Sequence, residues 1–118
     1  MRLTKRRREN LFALALGGVF LAGAIGNLAG APMMIEDYAR WGYPPGFNYV
    51  TGALELVTVA LMVRRLTRRV GCLVGAIVMG AAIATLLLNS EYAHAVAPAA
   101  VLLGLALLGR MTPKNFLT

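Results

Sequence analysis

Charge is the scarcest feature of this 118-residue chain: 14% of its residues are Asp, Glu, Lys or Arg, where soluble domains carry about 25%. With 58% hydrophobic residues beside it, too little charge remains to form the shell of a water-soluble core. The same apolar content excludes a disordered chain. Acids are rarer still, five against twelve Lys and Arg, and histidine occurs once. The single cysteine, Cys72, excludes an internal disulfide, a CxxC redox pair and a cysteine-based metal site. A Walker loop, HExxH, GxSxG and CxxCH are all missing. With no nucleophile beside a base, no metal cluster and no phosphate loop, the chain is not expected to act as an enzyme alone, nor to hold a cofactor or a metal.

Long apolar runs take up most of the sequence. Residues 11–31 carry no charge, follow a basic segment and stop at Pro32. A secretory signal has an apolar region of only about 7 to 15 residues, so this run reads as a first membrane span. Residues 47–63 form a second, about 26 Å long at 1.5 Å per residue, interrupted by Glu55. Residues 70–88 form a third. Residues 92–109 form a fourth, whose helix is expected to start near Tyr92 and bend at Pro98. The expected fold is an all-α integral membrane four-helix bundle, a single four-span domain over residues 1–118.

The net charge of +7 does not imply nucleic acid. The basic residues sit in two runs, Lys5 to Arg8 and Arg64 to Arg69, each abutting an apolar stretch, so their expected partner is the anionic headgroup layer of a lipid bilayer. Five Lys and Arg precede the first span, four lie between the second and third, two follow the fourth, and only Arg40 lies on the opposite side. Positive residues stay cytoplasmic. Both termini are therefore expected in the cytoplasm, with residues 32–46 and 89–95 facing outward.

The outward segment 32–46 holds Tyr38, Trp41 and Tyr43, expected as anchors at the headgroup boundary. A short interfacial helix from Met33 to Arg40, between the first and second spans, is expected to end at Gly42 and the Pro44-Pro45-Gly46 run. Helices in lipid associate through small residues. Gly18, Ala22, Gly26 and Gly30 recur every four residues on the first span, and Gly71 and Gly75 form a GxxxG on the third. All are expected at helix contacts, within one bundle or between copies in a homo-oligomer, with Gly26 and Gly75 foremost.

On the second span Asn48, Thr51, Gly52, Glu55, Thr58 and Met62 fall on one face, which must turn inward because polar groups facing lipid would be unpaired. Gly52 then adds a packing position. Glu55 has two readings: a neutral acid making one interhelical hydrogen bond, with Thr51 and Asn27 as candidate partners, or a proton relay or ligand site, with Asn48 on the same face. Glu91 and His94, three apart, are too few for a metal and read as an exposed pair. Asn89, Ser90 and Glu91 suit an N-cap for the fourth helix.

Gly23-Ala24-Ile25-Gly26-Asn27-Leu28, Gly30-Ala31-Pro32, Trp41-Gly42-Tyr43-Pro44 and Gly52-Ala53-Leu54-Glu55-Leu56, followed by an apolar run and a basic loop, resemble the DoxX-like family of small four-helix bacterial membrane proteins. That family commonly has a lysine where Asn27 stands and often a histidine late in the third span, where this chain has Thr85, Leu86 and Leu87. Glu55 thus lacks the charged partner that the resemblance would supply. The resemblance implies a multi-pass protein of the bacterial cytoplasmic membrane. It further implies an accessory or anchoring subunit for a sulfur-, thiol- or quinone-linked redox protein, without a redox centre of its own. A small proton-coupled transporter using Glu55 and a purely structural membrane protein are the other readings.

Overall fold

With no water inside a bilayer to satisfy backbone amides, each apolar run has to close its own hydrogen bonds as a helix. A computed structural model describes residues 4–113, and every regular element among them is helical. The order is α1 (Lys5–Ala29), α2 (Pro32–Arg40), α3 (Phe47–Val63), α4 (Arg68–Leu88), a 3-10 turn (Tyr92–Ala95) and α5 (Val96–Met111). Three segments are long and apolar enough to cross a membrane: α1, α4, and Tyr92–Met111, which joins the turn to α5. The 17-residue α3 is apolar but shorter.

Local chemistry sets the ends. The Thr4 hydroxyl accepts the Arg7 amide at 3.1 Å and starts α1. At its other end Gly30 adopts φ 70°, and the amides of Gly30 and Ala31 bond back to the carbonyls of Asn27 and Gly26. Pro32 then opens α2, where its missing amide is harmless. Gly30 is therefore a helix stop and not the expected packing position; a Cβ there would meet nothing within 4 Å. Pro98 falls in the first turn of α5. The expected single helix bending at Pro98 is thus a 3-10 turn running into an α-helix at Val96, and no side chain of Asn89, Ser90 or Glu91 caps it.

α1 lies along α3, α3 against α4, and α4 against α5, which closes back on α1. Leu16, Phe20, Met62, Leu105 and Leu108 fill the centre with Ala13 and Cys72. The bundle is 45 Å long, close to the roughly 40–45 Å of a bilayer with its headgroups. Leu14, Ile25, Leu73, Ile77 and Leu103 point outward and are exposed. A soluble protein rarely leaves so large an apolar surface uncovered; in a multi-pass membrane protein it meets lipid.

The small residues pack differently from the expected pattern. Gly18 and Ala22 are exposed, because α1 turns its Ala13, Leu16, Phe20, Ala24 and Asn27 face into the bundle. A Cβ on Gly26 would touch only the flexible Met34 side chain of α2, at 2.7 Å, so Gly26 faces the connecting helix and not another long one. Gly52 fits under Leu28 and Asn27 of α1. Gly71 fits against Leu61 and Met62 of α3, and Gly75 against Phe20, Thr58 and Leu105.

At the basic end the arginines also do something the sequence pattern did not suggest. Glu9 is 1% exposed and accepts Arg65 Nη2 at 2.9 Å and Arg68 Nη1 at 2.6 Å. Arg68, itself buried, also donates to the carbonyls of Met62 and Val63 at the end of α3. The Thr112 hydroxyl reaches Glu9 from beyond α5. Two residues of the supposed lipid-facing flank thus tie α1, α3, α4 and the α5 terminus together.

Candidate functional site

A cavity of about 350 Å³ opens at the opposite end, between α1, α2, α3 and α4. Its polar wall begins with Asn27, buried one turn before α1 stops. The Asn27 carboxamide donates to Glu55 Oε1 at 2.7 Å and to the Gly23 carbonyl at 3.1 Å. Its Oδ1 accepts the Tyr38 hydroxyl at 3.0 Å. Asn48 donates to the Asn27 carbonyl at 2.6 Å, a second donor beside the Gly30 amide at the end of α1.

The expected inward face of the second span therefore exists, and Asn27 meets Glu55. Thr51 does not bond to Glu55; its hydroxyl turns back to the Phe47 carbonyl at 3.5 Å while the side chain lines the cavity. Glu55 Oε2 makes no hydrogen bond among the described residues, and Glu55 lines the cavity. It lies against Gly23, where an added Cβ would overlap it. Gly23 was not among the expected packing positions, because its role follows from the register of α1 on α3 and not from any spacing of small residues.

Aromatic rings form the other wall. Tyr43 stacks on Phe47 with centroids 4.4 Å apart, and Tyr38 stands edge-on to both Trp41 and Tyr43 at 5.8 Å. The polar ends of Tyr38, Trp41 and Tyr43, the expected headgroup anchors, bond inside the protein. Tyr38 reaches Asn27, Tyr43 shares a 2.6 Å hydrogen bond with Thr85, and Trp41 Nε1 donates to Glu91 at 2.7 Å. Burial pushes the Tyr38 hydroxyl above its ordinary value, so it remains a donor. Tyr49 and Tyr92 are the tyrosines left at the surface.

Glu91 closes the rim. It takes Arg40 at 2.9 Å as well as Trp41, and these hydrogen bonds hold its carboxyl down at about 2. His94, expected to pair with Glu91, approaches it at 3.3 Å and is otherwise exposed. The α2 rim is thereby tied to the 3-10 turn at any ordinary pH. Among the described residues no three His, Cys, Asp or Glu side chains converge as a metal site would require.

The arrangement puts the Asn27–Glu55 pair into one wall of a cavity whose other wall is aromatic. Asn27 holds Glu55 Oε1 as an acceptor, so a proton carried by Glu55 sits on Oε2. The positions where the family resemblance calls for lysine and histidine, Asn27 and the 85–87 stretch, contribute Asn27 and Thr85 to this one cavity. No curated protein and no solved structure matches the chain. The model of the DoxX-like family matches residues 11–109, a stretch that holds the whole cavity lining, and the chain belongs to the DoxX-like family.

Proposed function

We propose that this protein is an accessory membrane subunit of a quinone-linked redox complex, with the aromatic cavity taking the quinone headgroup and a partner protein carrying the redox centre. The single observation that carries this reading is Glu55 in the wall of an aromatic-lined cavity of about 350 Å³, its Oε1 held by Asn27 and its Oε2 without a hydrogen bond among the described residues. The volume lies in the range of small-molecule sites, roughly 300–1,000 Å³. A quinone offers an apolar ring to the aromatic wall and carbonyl acceptors to a protonated Glu55. The reading has the chain cross the bacterial cytoplasmic membrane four times with both termini inside, the 11-to-1 division of Lys and Arg setting the orientation. The cavity then faces the outer leaflet. The transporter reading has less support, because the path from Tyr38 to Glu55 runs through the Asn27 carboxamide, which does not exchange protons as a carboxyl does.

Trp41, the only tryptophan, lines the cavity and supplies the test. Decylubiquinone added to the purified protein in detergent is expected to quench Trp41 fluorescence to saturation. Glu55→Gln, still a donor, is expected to bind within a few-fold of the parent. Glu55→Leu is expected to bind about tenfold more weakly, one lost hydrogen bond at roughly 1–1.5 kcal/mol. Quenching that rises without saturating, or that is unchanged in Glu55→Leu, overturns the reading.

A further inference from the structure

A second cavity, about 560 Å³, lies at the basic end between α1 and α3. Its walls are the apolar side chains of Leu14, Leu21, Val59 and Val63, and its floor is Gly17 and Gly18. A Cβ added to either glycine would meet nothing within 4 Å, so the missing side chains leave an open channel and not a helix contact. From Leu11 to Leu21 α1 rises about 15 Å, half the roughly 30 Å thickness of a bilayer core. The apolar channel therefore has the depth of one leaflet.

Arg6, Arg65 and Arg68 stand at its mouth. Arg68 is committed to Glu9 and to the α3 carbonyls, and Arg65 uses Nε and Nη2 on Glu9. Arg65 Nη1 and the whole Arg6 guanidinium make no hydrogen bond or ion pair among the described residues. Three guanidiniums against the one Glu9 carboxylate leave the mouth positive. We infer that this groove is a binding site for an anionic phospholipid, with one acyl chain lying over Gly17 and Gly18 and the phosphate held by Arg6 and Arg65. Charge complementarity selects this occupant: a second copy of the chain would bring its own arginines to the same mouth, whereas a phosphodiester neutralises it. The inference rests on the membrane setting of the helices and is independent of the quinone reading.

The test is native mass spectrometry of protein reconstituted in equimolar dioleoyl phosphatidylglycerol and dioleoyl phosphatidylcholine, then stripped with mild detergent. The parent protein is expected to retain phosphatidylglycerol preferentially at about one molecule per chain. Arg6→Gln is expected to reduce that preference about fivefold, the share of one guanidinium near the surface. Gly18→Leu is expected to abolish retention while the thermal midpoint holds, because its side chain enters open space. Thermal midpoints of all three proteins are recorded to separate loss of the site from loss of the fold. Equal retention of the two lipids, or retention untouched by Gly18→Leu at a parental midpoint, overturns the site. A parent protein that runs as a dimer and becomes monomeric in Gly18→Leu shows that a second copy occupies the groove, and overturns it as well. A Gly18→Leu protein that unfolds overturns the claim that the groove is open.

Discussion

Arg68→Ala is expected to destabilise the protein by about 3–5 kcal/mol, the usual result of stripping one partner from a buried ion pair. The cause is specific to this network. Arg68 is 4% exposed and Glu9 1%, so removing the guanidinium leaves a carboxylate that water cannot reach and that Arg65 holds only from its more exposed side. The same substitution frees the Met62 and Val63 carbonyls at the end of α3. Arg65→Ala is expected to cost less, because Arg65 is over a third exposed and water replaces part of its contribution. The double variant Glu9→Met with Arg68→Met is expected to be more stable than Arg68→Ala alone, since no charge is left buried. Equilibrium unfolding in mixed micelles, followed by helical circular dichroism, measures all three. Equal losses for Arg68→Ala and Arg65→Ala would place the charge cluster in water.

Gly71→Ala is expected to be the second large effect, about 1–3 kcal/mol for an overpacked contact. A Cβ there comes within 2.8 Å of Met62 Cγ and 3.0 Å of the Met62 backbone nitrogen. A side chain can rotate away; a helix backbone cannot. Gly80→Ala, on the same helix, meets nothing within 4 Å and is expected to be neutral or stabilising by about 0.5–1 kcal/mol, since alanine suits a helix better than glycine. Gly26→Ala lies between them, because only the end of Met34 has to move. The comparison of Gly71 with Gly80 in one unfolding series checks whether close backbone approach, and not glycine content, sets the packing of α4.

The helices, the connecting α2 and the pairing of Asn27 with Glu55 were legible from residue type. An uncharged run has to be a helix in lipid, Pro32 and the 44–46 segment have to break it, and a polar group inside a span has to find another. The contact faces were not legible. Four-residue spacing of Gly18, Ala22, Gly26 and Gly30 marks a ridge on α1 but not the side on which α3 lies. Phe20 and Leu16 pack with Met62 and Leu105 in the core, which leaves Gly18 and Ala22 of that ridge outward. Gly23 and Gly71 matter because of what sits opposite them, which depends on the register between helices. Glu9 carried no signal in the sequence, and only the approach of the α3–α4 loop to the start of α1 makes it the buried centre of a network. The internal bonds of Tyr38, Tyr43 and Trp41 were not legible either, because their partners Asn27, Thr85 and Glu91 come from distant parts of the chain.

If the cavity takes a quinone headgroup as proposed, Glu55 is reachable from within the membrane and is covered by the bound quinone. Dicyclohexylcarbodiimide, an apolar reagent that modifies protonated carboxyls within membranes, tests it most directly when the modified peptide is located by mass spectrometry. Modification is expected at Glu55 but not at Glu9, whose oxygens are held by Arg65 and Arg68, and it is expected to be lost when decylubiquinone is added first. No reaction at Glu55, or reaction to the same extent with the quinone present, would contradict it.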